Sequence, residues 1–460
     1  MISPAASAVP STPSGELSPG LFAAALCVIF FAFYMTDHSV TTSQTEAFTQ
    51  TAAEMEQAAG GGDTVRRLVF LSLAGIGLFL LLGAEARPWR ITLAGGLAIA
   101  FLLWAGASVL WSVDAGMTIR RLVVIGCCFL AALGIGRRMS GEQICLLVLI
   151  CTSVCLLIGI GAEIALGTFK PWSGDYRFSG TQHPNTQGMS LTALCLSAIC
   201  LARKVPSWKT ACYGLFAVGL LFLILTKSRG SAAGLLFALG MIWMLHTSSR
   251  FKFVAGLSIA WVLSLGMMFV ELNGMKASDV SDLVLLGRAE DAHSLTGRAP
   301  LWTELSYYIA ARPLQGYGFQ SFWTADHIDA ITDEMQWAIR EAHNGYLETT
   351  LSVGLIGAGL LLAAVLAGMA TTARMYLKSG DATYSFAFGM CAFGLLNSFS
   401  ESGMTNPLFG PVMTCAALSQ AVYFAASQPA AAPQEPSPLA RDDGRTGPPY
   451  AWDSPAFPRS

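Results

Sequence analysis

Apolar runs of helix-spanning length recur along the chain, broken by short polar or basic segments. A helix crossing a bilayer core needs about 20 mostly apolar residues. On that measure the pattern predicts twelve spans: 19–35, 67–84, 91–111, 120–136, 143–167, 187–203, 210–226, 231–248, 252–271, 345–373, 383–400 and 406–426. The stretch 220–248 is close to continuous, and only Thr226-Lys227-Ser228-Arg229-Gly230-Ser231 divides it. Two basic residues would be costly at the bilayer centre, so the break predicts a tight hairpin at the membrane surface. The fold class expected is an all-α, polytopic membrane bundle.

Between the ninth and tenth spans, residues 272–344 form one long polar loop. Within it Leu301, Trp302, Leu305, Tyr308 and Ile309 follow helical spacing, which predicts an amphipathic helix lying on the bilayer or capping the bundle. Gly316-Tyr317-Gly318 then breaks the chain, and a second helical stretch over about 328–342 leads into the tenth span. A loop this long with structure of its own is more often functional than idle. Residues 1–18 read as a disordered Ser/Pro/Ala tail with no basic n-region of a signal peptide, and 427–460 as a second, Pro/Ala-rich tail. The polar excursion 36–65 suggests no chemistry. The resulting plan is tail 1–18, spans one to nine over 19–271, loop 272–344, spans ten to twelve over 345–426, and tail 427–460.

Composition sharpens this picture. Charged residues are only 12% of the chain against 53% hydrophobic, where a soluble domain carries about 25% charged. That excludes a soluble enzyme or a disordered protein. The formal net charge of -2 excludes a strongly basic nucleic-acid binder. All eleven cysteines fall in apolar stretches with no CxxC pair, as small packing residues do. If both termini are cytoplasmic, short loops after even-numbered spans should be basic. They hold Arg87, Arg90, Arg137, Arg138, Arg203, Lys204, Lys209, Arg250, Lys252, Arg374 and Lys378. Arg66, Arg67, Arg120, Arg121, Lys170, Arg177, Lys227 and Arg229 fall on the other side. For isolated arginines, snorkelling or headgroup contact explains that.

Four polar clusters share that other, extracytoplasmic side. They are Arg177 to Asn185 before span six, Thr226 to Ser231, Ser294 to Trp302, and Ala342-His343-Asn344-Gly345-Tyr346-Leu347-Glu348 opening span ten. Arginine suits bidentate contact with phosphate and keeps its charge. Histidine can take a proton near neutral pH. An enzyme acting on a lipid-linked pyrophosphate needs both. Each cluster also has a plainer explanation. Lys227 and Arg229 can stop the flanking helices, Asn344 can cap span ten, and Arg298 can pair with Glu304. Gly316 and Gly318 make a turn, not a dinucleotide fingerprint. No HExxH or DxD occurs, so neither a metal nor a cofactor is expected.

Taken in order, these pieces resemble the O-antigen ligase and polymerase superfamily of bacterial inner membranes. The resemblance covers about 176–370. It rests on Ser228-Arg229-Gly230, Gly297-Arg298 with Leu301-Trp302, Pro313, Gly316-Tyr317-Gly318-Phe319, Phe322-Trp323, His343 to Glu348, and Gly354-Leu-Ile-Gly357. Trp111-Ser112-x-Asp114 and Gly180 to Asn185 fit as well. The loop spelling is most similar to the exopolysaccharide polymerase branch. The resemblance implies a metal-independent, inverting glycosyltransferase of the inner membrane, with an undecaprenyl-pyrophosphate-linked glycan as donor on the periplasmic face. Arg229 and Arg298 would hold the pyrophosphate, and His343 would take the proton from the acceptor hydroxyl or position it. Arg177, Asn344 and Trp302 would bind substrate, and Lys227 would add a phosphate contact or an interfacial anchor. Lipid, the lipid-linked glycan and a chain-length regulator are the implied partners, with no nucleic acid among them.

Three other activities compete with polymerisation: ligation of the glycan to lipid A-core, transfer to protein, and transport. A transporter should place ionisable residues near mid-membrane in broken helices. Here Glu163 is the main charge well inside a span, while the arginines gather at one interface.

Overall fold

The computed structural model describes residues 16–38, 64–83, 87–174, 176–247, 292–335, 339 and 341–425. The described helices, in chain order, are α1 (Pro19–Asp37), α2 (Thr64–Leu82), α3 (Leu93–Ala107), α4 (Ala115–Arg138), α5 (Gly141–Ala165), α6 (Pro184–Lys204) and α7 (Lys209–Leu225). They continue with α8 (Arg229–His246), α9 (Ala292–Ala311), α10 (Ala325–Met335), α11 (Gly345–Ser379), α12 (Thr383–Asn397) and α13 (Phe409–Val422). The protein is an all-α, polytopic membrane bundle. Eight described helices are long and apolar enough to cross a membrane: α1 to α7, with α3 and α7 each extended by a 3-10 turn, and α11. Two shorter apolar helices, α8 and α13, join them. The described residues alone do not confirm the expected count of twelve. α12 has only 15 residues, and the ninth span, 252–271, lies outside the described residues.

The same is true of 39–63 in the first polar excursion and of 426–460 in the C-terminal tail. At the other end, residues 1–15 also lie outside the described residues. Leu17 is buried, donates its N–H to Gln143 Oε1 at 3.1 Å and accepts from Gln143 Nε2 at 2.8 Å.

Where water is absent, small residues let helices approach closely. α2 and α4 do this at Gly77 and Gly134, whose backbones touch so that a Cβ on either would collide with the other helix. At one end of the bundle lie Arg87, Arg137, Arg138, Lys204 and Asp381. Arg137 donates to the carbonyls of Arg87 and Leu81, and Lys204 pairs with Asp381 at 3.0 Å. The opposite end carries the hairpin, the 176–183 loop and the α9–α10 segment.

The α9–α10 segment has a core of its own, with Leu301, Leu305, Tyr317, Phe322 and Ile331 buried together. It is fastened to the bundle through a break in α11. Gly354 sits there at φ 70°, a conformation L side chains rarely adopt. The break frees carbonyls that helical N–H groups would otherwise bond. Tyr317 N–H donates to Leu351 at 2.8 Å, Gly318 N–H to Ser352 at 3.0 Å, and Trp104 Nε1 to Val353 at 2.8 Å. In return Leu355 N–H donates to Pro313 at 2.8 Å. These freed groups therefore find partners, as buried backbone must. Gly316 and Gly318, at φ 66° and 104°, give the turn that allows this approach. In Gly354→Ala the new Cβ meets the Leu314 carbonyl and adds about 1–3 kcal/mol of backbone strain. The variant should unfold in detergent at clearly lower temperature than wild type, as a thermal melt will show.

Candidate functional site

The hairpin and the loop before α6 are sewn together. Glu163, near the end of α5, accepts from Tyr176 Oη at 2.5 Å, Ser179 N–H at 2.9 Å and Gly180 N–H at 2.8 Å. Burial, reinforced by that carboxylate, raises the Tyr176 phenol above its usual range, so it stays a donor. Phe178 is fully buried against Phe222, and its N–H donates to Leu225 at 2.9 Å. These ties deliver Arg177 to the hairpin. Its Nε donates to Thr226 O at 3.1 Å and its Nη2 to Asn185 Oδ1 at 3.2 Å.

The hairpin turns at Lys227, which has φ 53°. Lys227 Nζ donates to the Gly174 carbonyl, which makes it a tie to the preceding loop. Arg229 is exposed at the first turn of α8. Beside it, Gly230 packs so closely on Ser400 that a Cβ would collide with its hydroxyl. Arg298, on α9, donates to Ser400 O at 3.1 Å. The segment 398–401 after α12 therefore lies between the hairpin and α9.

That segment holds Glu401, which the sequence reading missed. Asn185 Nδ2 donates to Glu401 Oε1 at 2.6 Å, and Arg177 holds the same Asn185. Burial pushes the Glu401 carboxyl up from 4.5 to about 7. Glu341 pushes the same way, against Arg298, Asn185 and Arg177. A carboxyl raised in the fold contributes stability below about pH 4.5 that is lost as pH rises through about 7. Glu401→Gln keeps the hydrogen bond and removes the titration. The melting temperature of the variant should rise relative to wild type between pH 5 and pH 8, and parallel curves would refute this assignment.

His343 stands at the start of α11 with φ 48°, and its Nδ1 lies 3.2 Å from Glu341 Oε1. Lys227, Gln320 and His343 are the non-glycine residues at positive φ among the described residues, and such strain clusters at functional sites. The neighbours of His343 are fixed. Asn344 caps α11, accepting from Tyr346 N–H at 3.0 Å and Leu347 N–H at 3.1 Å. Trp302 Nε1 donates to Ala342 O at 2.9 Å. Glu348 accepts from Trp323 Nε1 at 2.7 Å and Ala342 N–H at 2.9 Å. Glu348, the carboxylate that closes the fourth cluster, thus anchors the residue before His343. Glu341 and Glu401 are the carboxylates near the histidine and arginines. Glu401 stands alone at the edge of an apolar span, and Glu341 lies in a polar stretch outside the quoted motifs, so neither was marked as a partner of the site.

Beside the cluster, an apolar cavity between α6, α11, α12 and α13 runs from Asn397 and Ser398 past Leu361, Met390 and Phe393. Arg177, Arg229, Arg298 and His343 therefore gather at one end of a membrane bundle, next to an apolar passage.

Residues 214–362, which contain Arg229, Arg298 and His343, match the family described as O-antigen ligase. Fold, site and match together support an O-antigen ligase or polymerase type of membrane enzyme. The chain is also 24% identical over 327 residues to the exopolysaccharide production protein ExoQ of Rhizobium meliloti (strain 1021). That similarity spans 67% of this chain and 72% of that protein. Both findings support the O-antigen ligase and polymerase superfamily as its class.

Proposed function

We propose that this protein polymerises undecaprenyl-pyrophosphate-linked oligosaccharide repeats into exopolysaccharide on the periplasmic face of the bacterial inner membrane. The observation that carries the proposal is the convergence of Arg177, Arg298 and His343 around the 398–401 segment and Glu341. In this reading Arg229 and Arg298 bind the donor pyrophosphate and stabilise its growing charge. Glu341 accepts from His343 Nδ1–H and so leaves Nε2 as the base. The acceptor hydroxyl oxygen attacks the donor's anomeric carbon from the face opposite the pyrophosphate. A new glycosidic bond forms, the bond to the pyrophosphate oxygen breaks, and the hydroxyl proton goes to His343. Undecaprenyl pyrophosphate leaves, and the anomeric configuration inverts. The apolar cavity suits the isoprenoid chain. No metal or cofactor has a part in this scheme, both termini are cytoplasmic, and a chain-length regulator is a further partner.

The similarity to an exopolysaccharide production protein favours polymerisation, whereas the family description favours ligation of the glycan to lipid A-core. A glycan profile of a deletion strain with and without the wild-type gene separates them. Loss of long exopolysaccharide with unchanged lipopolysaccharide supports the polymerase. Loss of O-antigen from lipid A-core, with lipid-linked polymer accumulating, supports the ligase. Two untouched profiles would overturn both and favour transfer to protein or transport.

A further inference from the structure

Next to His343 lies an open cleft of about 440 Å³, lined by Trp302, Asn344, Tyr346, Leu347 and Phe399. Phe399 is 60% exposed, in a turn between Ser398 and Ser400. It therefore stands in a polar turn beyond the end of α12. The Tyr346 and Phe399 rings stand 4.9 Å apart at 54°, forming an open V. Tyr346 and Trp302 are held by side-chain hydrogen bonds, and Phe399 through its backbone. Tyr346 Oη donates to Leu395 O at 2.7 Å, Trp302 Nε1 to Ala342 O at 2.9 Å, and Phe399 N–H to Leu396 O at 3.2 Å. Rings fixed before binding lose little freedom on contact.

We infer that this cleft is the acceptor subsite, where one pyranose ring of the incoming glycan stacks on Phe399 and Tyr346. The C–H face of a sugar is weakly positive, and the face of an aromatic ring is negative. The position selects the acceptor. Asn344 joins the cleft directly to His343. Trp302 lies one helical turn beyond Arg298 on α9, so the arginine flanks the cleft on the donor side. The inference rests on the glycosyltransferase reading above and adds the residues that hold the acceptor.

The test supplies full-length protein in detergent with lipid-linked oligosaccharide extracted from the deletion strain as donor at one fixed concentration, and the same oligosaccharide freed of its lipid by mild acid as acceptor over a range of concentrations. Phe399→Ala should raise the half-saturating acceptor concentration about tenfold, the scale of one good stacking contact, with the maximal rate within about twofold. Phe399→Tyr should restore it. An unchanged half-saturating concentration in Phe399→Ala overturns the subsite. So does a lower maximal rate alone, which points to a structural role, or a lower yield of membrane-extracted protein alone, which points to a lipid anchor. If wild type forms no glycosidic bond from the extract, the enzyme reading itself fails, and the subsite falls with it.

Discussion

In Arg298→Ala, glycan transfer is expected to fall by at least about a hundredfold, the scale of removing one donor aimed at developing charge. The variant should stay in the membrane at near wild-type level. Arg298 donates to Ser400 O at 3.1 Å, and the planar guanidinium carries further N–H groups in a fixed fork. Lysine brings the charge without the fork, so Arg298→Lys should recover only a small part of the rate. Quantifying lipid-linked and polymerised glycan beside an immunoblot checks both. Normal product from Arg298→Ala would remove this residue from the donor site.

His343→Asn should be nearly as damaging, with a loss of about 10²–10⁴-fold if the imidazole accepts the proton in the transition state. Asparagine is the informative replacement because it tolerates positive φ, and His343 sits at φ 48°. The backbone is preserved while the base is lost. An active His343→Asn would reduce the histidine to a backbone or positioning role. A full loss with an unchanged melting temperature would assign it to the chemistry.

Much of the bundle was legible because lipid leaves the backbone few choices. A long apolar run must become a helix with its own hydrogen bonds satisfied. The turn at Lys227 and a helix over 301–309 followed from charge and period alone. Helix length was less legible. The 383–400 run closes at Asn397, because the polar Ser398 to Ser402 segment turns away to meet the hairpin and Arg298. The same turn explains why Glu401 escaped notice. Its hydrogen-bond partner Asn185 lies 216 positions earlier, and no local pattern encodes such a pairing. Glu348 shows the opposite case. It stood in a motif beside the histidine, yet its oxygens serve Trp323 and Ala342. Residue type and motif located the neighbourhood, and only geometry assigned the tasks within it.

The break at Gly354 divides α11 into two mechanical parts. Its first ten residues, Gly345 to Gly354, are fastened by backbone bonds to the α9–α10 segment, which also carries Arg298. The long remainder is buried on one side and exposes Leu355, Leu362, Leu366 and Leu377 on the other. A change in bilayer thickness or tilt acts on that remainder, and the break is where such bending can be taken up. The histidine and its arginine neighbour then ride on one rigid body. Their spacing should hold steady in membranes of differing thickness.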